Sequence, residues 1–264
     1  MKGRNMDVEE RILEHYQEAQ SVFYKSRIVG IFCVGSQNYG LDTEYSDVDS
    51  KLIVLPSVED MIFNRKPVSA TYVRENNEQI DFKDIRLMLE IFRKQNINFI
   101  EVLFTKYKIL NPKYQCYFEP LIENREMIAH YNICRTVKSM SGQAYNKYKS
   151  LEKVTPNQAA AIGKFGYSPK QLCHILRIEE FLRRFLDEEP YESCLMSNQA
   201  EYLKQVKLGC YSKEEAIRIA DTAINSIETL CDYYTKDFFN VSDIRVDKLL
   251  DDVQHDLMYN YIYN

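Results

Sequence analysis

The sequence predicts an α+β protein, with a mixed α/β domain over residues 1–120 followed by a helical domain over 121–264. Three observations carry this. RIVGIFCV at 27–34 is a short, continuous, β-branched apolar run, as a strand buried on both faces requires, and the apolar end of DVDSKLIVL at 47–55 marks a second strand. EQIDFKDI at 78–85 alternates Ile80 and Phe82 with Asp81 and Lys83, the pattern of a strand with one buried face. After Pro112 and Pro120 the patterns become helical, with breaks near Pro156, Gly166 to Pro169, Pro190 and Gly209.

Taken in order, Val8, Ile12, Leu13, Tyr16 and Ala19 recur at helical spacing, so residues 7–26 are expected to form an amphipathic helix. The strand at 27–34 ends at Gly35, and a polar loop or short helix runs to Ser46. DVDSKLIVL at 47–55 forms the second strand, stopped by Pro56. Residues 57–77 show only weak periodicity. The strand at 78–85 leads into a helix over IRLMLEIFRKQ with Asp84 as its N-cap, and INFIEVLF at 97–104 continues the core.

With 264 residues and 45% hydrophobic side chains, the chain can bury a proper core. It contains no apolar run long enough to span a bilayer, and its N-terminus is charged and helix-like rather than signal-like, so a soluble, cytoplasmic protein is expected. Seven cysteines, an odd number without a CxxC pair, argue against a disulfide framework or a zinc site and for reduced thiols. A net charge of -5 excludes a surface given over wholly to nucleic acid. Charge is nonetheless segregated. Between Arg135 and Lys170 seven basic residues face one acid, Glu152, giving +6 there and -11 elsewhere.

The stretch from Gly35 to Leu55, GSQNYGLDTEYSDVDSKLIVL, carries the chemistry. In a strand, Asp47 and Asp49 project to one face with backbones about 7 Å apart, and two carboxylates that close repel unless they share cations. Mg²⁺ takes one or two carboxylates together with phosphate oxygens, and two metals about 4 Å apart would stabilise both oxygens of an in-line displacement. Phosphoryl or nucleotidyl transfer follows as the expected chemistry. Gly35 lets backbone approach a phosphate and Ser36 adds a hydroxyl donor. A third carboxylate is needed to complete the metal cage and take the acceptor proton. Asp81 is preferred, and Asp84, which a helix cap would explain fully, is its rival. An EF-hand is excluded because the twelve-residue loop with its terminal Glu is absent. Lys170, His174 and Arg177 are spaced by four and three on a helix that Ser168-Pro169 starts, a basic stripe suited to a triphosphate or an incoming strand. His15, His130 and His255 are isolated and read as structural.

These residues resemble the signature of the DNA polymerase β-like nucleotidyltransferase superfamily: glycine-serine, a spacer, then D-x-D opening a strand. YGL and SDVD, with KQNINFIEVLF at 94–104 and KFGYSPKQLCHILR at 164–177, are similar to its branch of predicted RNA repair pathway nucleotidyltransferases. The resemblance implies a mixed sheet with flanking helices, a helical C-terminal domain, two Mg²⁺ ions (or Mn²⁺) and a nucleoside triphosphate. It matches Asp47 and Asp49 to the metal ligands and Asp81 to the third carboxylate, and it puts Gly35, Ser36 and Ser46 with Lys170, His174 and Arg177 on the nucleotide. The implied activity is transfer of a nucleoside monophosphate to a hydroxyl with release of pyrophosphate. The alternative is a catalytically inactive nucleotide- or RNA-binding module or antitoxin-like partner. RNA is the favoured acceptor, because Tyr145, Tyr148 and Tyr167 lie among the Arg135–Lys170 cations, and stacking aromatics among cations suit a single strand.

Overall fold

Strand β1 (Ile28–Val34) is buried at all seven positions, so its unbroken apolar run is a central strand covered on both faces. The structure, a computed structural model, describes residues 7–24, 27–43 and 46–263. Among them five strands, β1, β2 (Asp49–Val54), β3 (Ser69–Val73), β4 (Gln79–Asp84) and β5 (Lys108–Leu110), form one sheet in the order β3-β4-β2-β1-β5. β1 pairs antiparallel with β2 and β5, and β3 pairs antiparallel with β4, while β2 and β4 run parallel. The sheet is therefore mixed, as expected.

Helix α1 (Val8–Val22) lays Ile12, Tyr16 and Ala19 on one face of the sheet, against Ile31, Cys33, Leu52, Val54, Ile80 and Phe82. A four-residue helix, α2 (Ser36–Tyr39), follows β1 directly. The weakly patterned 57–77 segment contains α3 (Val58–Ile62), opened by a Ser57–Asp60 capping box, and β3, whose five residues are all exposed at the sheet edge. Asp84 does cap α4 (Ile85–Arg93), its carboxylate accepting the Arg86 N–H at 2.9 Å. INFIEVLF is α5 (Ile97–Ile100) followed by a 3₁₀ turn at Glu101–Leu103, and it buries Ile97, Ile100, Val102 and Leu103. α6 (Gln115–Glu123) covers the other face of the sheet, with Phe118 5.3 Å from the Phe32 ring, and α7 (Arg125–Ala129) follows.

The chain divides into two compact units, one made of residues up to 38, 42–131 and 242 onward, the other of 39–41 and 132–241. The division expected near residue 120 instead falls inside α6, where Pro120 is an interior residue. The expected second domain also loses its last helix, α14 (Ile244–Tyr263), to the sheet unit. There α14 buries Val246, Leu250, Val253 and Leu257 and packs against α4 and α6. Arg93 Nε donates to Asp247 at 3.0 Å, the Tyr131 hydroxyl donates to Asp247 at 2.9 Å, and Asn260 donates to the Tyr117 hydroxyl at 2.8 Å.

The second unit is helical, with α8 (Ile133–Lys149), α9 (Ala159–Phe165), α10 (Pro169–Leu186), α11 (Tyr191–Leu195), α12 (Ala200–Lys207) and α13 (Lys213–Tyr234). α10 is its centre and packs against α8, α11, α12 and α13. Gly166, at φ 77°, ends α9 in the left-handed conformation, and Pro169 opens α10 where its missing N–H is harmless. No helix among the described residues is long and apolar enough to cross a membrane.

Candidate active site

The β1–β2 register places Val34 opposite Asp49, so the Gly35-Ser36 turn and the aspartates of DVD lie at the same end of neighbouring strands. Gly35 has φ 89°, and an added Cβ would meet nothing within 4 Å, so glycine is demanded here by the backbone rather than by space. Several side chains hold the turn. Glu101 Oε2 accepts the Gly35 N–H at 3.2 Å and the Asn38 amide at 3.3 Å, and that amide also donates to the Cys33 carbonyl at 3.0 Å. The Thr105 hydroxyl donates to Asn38 Oδ1 at 2.8 Å. The Gly35 N–H is thus committed within the protein to Glu101.

β2 begins at Asp49, and Asp47 stands exposed ahead of it, so strand periodicity is not what sets this pair. A clamp on the residue between them does so instead. Val48 is buried in the α1-side core, and its N–H donates to Glu78 Oε1 at 2.9 Å. Asp49 is half-buried, and its Oδ1 accepts the Gln79 N–H at 2.9 Å. Ser46 closes the preceding loop: its N–H donates to the Thr43 carbonyl and its Oγ accepts the Thr43 N–H, both at 2.9 Å.

Behind the clamp lies a buried polar network. Glu78, 0% exposed, also accepts from Asn76 at 2.7 Å, from Arg74 at 2.8 Å and from His15 at 3.1 Å, and it pairs with Arg11. His15 Nδ1 reaches Ser50 Oγ at 2.9 Å, which gives this isolated histidine the structural role expected of it. Burial pushes the Glu78 carboxyl up. The hydrogen bonds from His15, Asn76 and the Val48 N–H, with the charge of Arg11, outweigh this and hold it down at about 2. The Cys33 thiol registers the local acidity, since burial first, then Glu101, Asp49 and Glu78, push it up to about 12.

Asp81 lies beside Lys51 in the parallel β2–β4 register. Its carboxylate pairs with Lys83 Nζ at 2.8 Å and Lys51 Nζ at 3.2 Å, and it accepts from the Thr71 hydroxyl at 3.2 Å. Lys51 Nζ in turn sits 4.0 Å from the Phe99 ring centroid. Asp84, the rival third carboxylate, is 1% exposed and pairs with Arg86 at 2.7 Å besides its capping bond. Among the described residues no three His, Cys, Asp or Glu side chains are grouped to hold a metal. Asp47 and Asp49 alone still fit Mg²⁺, which needs only one or two carboxylates when phosphate oxygens complete its shell.

The remaining expected residues lie in the helical unit. Lys170, His174 and Arg177 share a face of α10, joined by Lys147 of α8 and Lys207 of α12, and these four cations act together on His174. Burial first, then Arg177 and the lysines, lower the imidazole well below the usual histidine range, so it is neutral at pH 7. Of the three tyrosines expected to stack bases, Tyr167 is fully buried with its hydroxyl bonded to the Tyr211 carbonyl, which makes it a packing residue. Tyr148 donates to Asp221 at 2.5 Å, while Tyr145 is exposed with Lys149 Nζ 4.5 Å from its ring centroid.

Sequence reasoning missed Glu78, Glu101 and Lys207. Glu101 did carry a signal, being the one acid inside an apolar run.

No family model matches the chain, and no curated protein matches it. Among solved structures, a nucleotidyltransferase-like protein from Exiguobacterium sibiricum is similar over 97% of this chain and 91% of its own, at 11% identity and a TM-score of 0.31. A likeness that loose transfers neither fold nor activity.

Proposed function

We propose that the protein is a Mg²⁺-dependent nucleotidyltransferase of the polymerase β-like kind, moving a nucleoside monophosphate from a triphosphate to a hydroxyl and releasing pyrophosphate. The observation that carries this reading is the register of Val34 with Asp49, which sets a positive-φ glycine-serine turn beside the DVD carboxylates. Bound Mg²⁺, two ions in the full reading, would neutralise phosphate oxygens and stabilise the attacking and leaving oxygens. Asp47 and Asp49 hold it, and the Val48 clamp orients both from behind. The Ser36 hydroxyl donates to the triphosphate. Asp81, on the strand parallel to β2, takes the proton of the acceptor hydroxyl once Lys51 and Lys83 release it. RNA is the proposed acceptor, with the exposed pair Tyr145 and Lys149 as its contact.

The test supplies each NTP with RNA, protein and metabolite acceptors and measures pyrophosphate. Release by the parent and its loss in Asp49→Asn are expected, and activity surviving that substitution would sink the assignment. The ion pairs of Asp81 favour a second reading, a nucleotide-binding module without turnover. It predicts NTP uptake in calorimetry without pyrophosphate, and affinity unchanged by Asp81→Ala.

A further inference from the structure

We propose that the open edge of β3 is the seat of a two-fold homodimer, in which the strand pairs antiparallel with β3 of a second copy about Thr71. β3 is an edge strand of the five-stranded sheet, and all five of its residues are exposed. Which of its backbone groups face outward follows from the bonds at its two ends. The Arg74 N–H donates to the Glu78 carbonyl at 2.8 Å and the Asp84 N–H to the Val68 carbonyl at 3.0 Å, each continuing the antiparallel β3–β4 register. Hydrogen-bonded pairs alternate along such a ladder, so Val68, Ala70, Tyr72 and Arg74 turn their backbone to β4. The N–H and C=O groups of Ser69, Thr71 and Val73 point away from the sheet, and no strand among the described residues pairs with them.

Nothing within β3 blocks a partner strand. It carries no charged residue and no proline, the usual protections of an edge. β5, at the opposite edge, is only three residues long and begins with Lys108, so it is protected on both counts.

The partner that fits is a second copy of this chain. The outward groups are centred on Thr71, so a two-fold axis there sets Thr71 opposite Thr71 and Ser69 opposite Val73, with both backbone hydrogen bonds exchanged at each pair. A Thr–Thr pair is favourable across strands. On the other face of the sheet the same axis sets each exposed Tyr72 ring opposite the second copy's Ala70, whose methyl leaves the ring room. The charges agree as well. Exposed Lys66 precedes the strand and exposed Glu75 follows it, and neither takes part in an ion pair among the described residues. Antiparallel pairing brings each Lys66 to the end of the facing strand that carries Glu75. Two short strands joined side by side form a small interface, in the class below about 1,200 Å² that gives weak, concentration-dependent complexes. A self-complementary edge of this kind closes at two copies.

Sedimentation velocity on the full chain over a concentration series tests this. The mass is expected to rise from 31.2 kDa towards twice that value and to stop there. Thr71→Pro removes an outward N–H that the β3–β4 ladder does not use, a change tolerated at a sheet edge, and should weaken the dimer by about tenfold or more. Lys66→Glu should weaken it about two- to fivefold, and Lys66→Glu combined with Glu75→Lys should restore it. Cross-linking reads the register. In a chain carrying Cys116→Ser and Cys210→Ser, which removes the exposed thiols, Thr71→Cys puts two thiols at a pair whose Cα atoms are about 5.5 Å apart, within reach of a disulfide. Val73→Cys leaves them about 14 Å apart. Oxidation should therefore link Thr71→Cys and spare Val73→Cys, a result that stands even where Thr71→Pro impairs folding. A folded parent that stays monomeric at every concentration would overturn the dimer and leave the edge to an extended segment of another protein. Association unchanged in folded Thr71→Pro, equal cross-linking of the two cysteine variants, or growth beyond two copies would overturn two-fold pairing through β3. Nucleotidyl transfer is judged separately, because none of these readouts measures it.

Discussion

The Glu101 carboxylate accepts the Gly35 N–H at 3.2 Å and, through the same oxygen, the Asn38 amide at 3.3 Å. One acid in the 3₁₀ turn thus fixes both ends of the turn that opens α2. Glu101→Ala leaves the half-buried Gly35 N–H without its acceptor and the Asn38 amide with the Cys33 carbonyl alone, and is expected to destabilise by roughly 1–3 kcal/mol. Glu101→Gln keeps an acceptor oxygen and should lose about half as much. Chemical denaturation checks both, and a neutral Glu101→Ala would remove the turn's proposed support.

Gly35→Ala isolates backbone strain from packing. Since an added Cβ meets nothing within 4 Å, the expected loss of about 1–2 kcal/mol comes from φ 89° alone. At Gly209 an added Cβ would run into the Phe165 ring, so Gly209→Ala should be the more damaging substitution. Thermal melts of the two variants rank them.

The Glu78 network makes stability depend on acid. Its carboxyl is held at about 2 in the folded chain against an ordinary 4.5, so the folded state favours the ionised form. That contribution, roughly 3 kcal/mol, is present above pH 4.5 and is lost as the pH falls towards 2. Urea melts between pH 6 and pH 3 should show the parent weakening across this window. Glu78→Gln should be less stable at pH 6 and flatter below it.

Asp81 and Asp49 should separate stability from chemistry. Asp81→Asn strands two lysines, Lys51 and Lys83, that are each about nine-tenths buried, and a loss of roughly 2–4 kcal/mol is expected. Asp49→Asn keeps an acceptor for the Gln79 N–H and should melt within about 1 kcal/mol of the parent. Equal melting of the two variants would count against the ion-pair role of Asp81.

If RNA is the acceptor, Lys149→Ala with Tyr145→Ala should weaken single-strand binding and flatten the slope of log K against log salt by about one unit. Tyr167→Phe should leave RNA binding alone, because that ring is in the core. Filter binding across a salt series measures both.

The sequence made β1, β2, β4 and the Asp84 cap legible because each announces itself locally, by an apolar run, an alternation or a capping position. β3 was not legible, since an edge strand exposed at all five residues has no buried face to leave a pattern. The return of α14 was hidden for another reason. An apolar stripe says that a helix packs, not which unit receives it. At the site, residue types and order gave the DVD and glycine-serine groups. The partners Glu78 and Glu101 come from distant segments and are joined to them only by tertiary contacts.

The Val48 clamp has a consequence for how the chain assembles. Glu78 is positioned by Arg11, His15 and Arg74, and Arg74 is tied to Glu14 and Glu18 of the first helix. His15 and Glu78 are 63 positions apart, Glu18 and Arg74 56. Neither aspartate can settle until these sequence-remote pieces have met, so Asp47 and Asp49 should become ordered late in folding. In native-state hydrogen exchange the Val48 amide should open with α1 rather than with its own loop, as one cooperative unit.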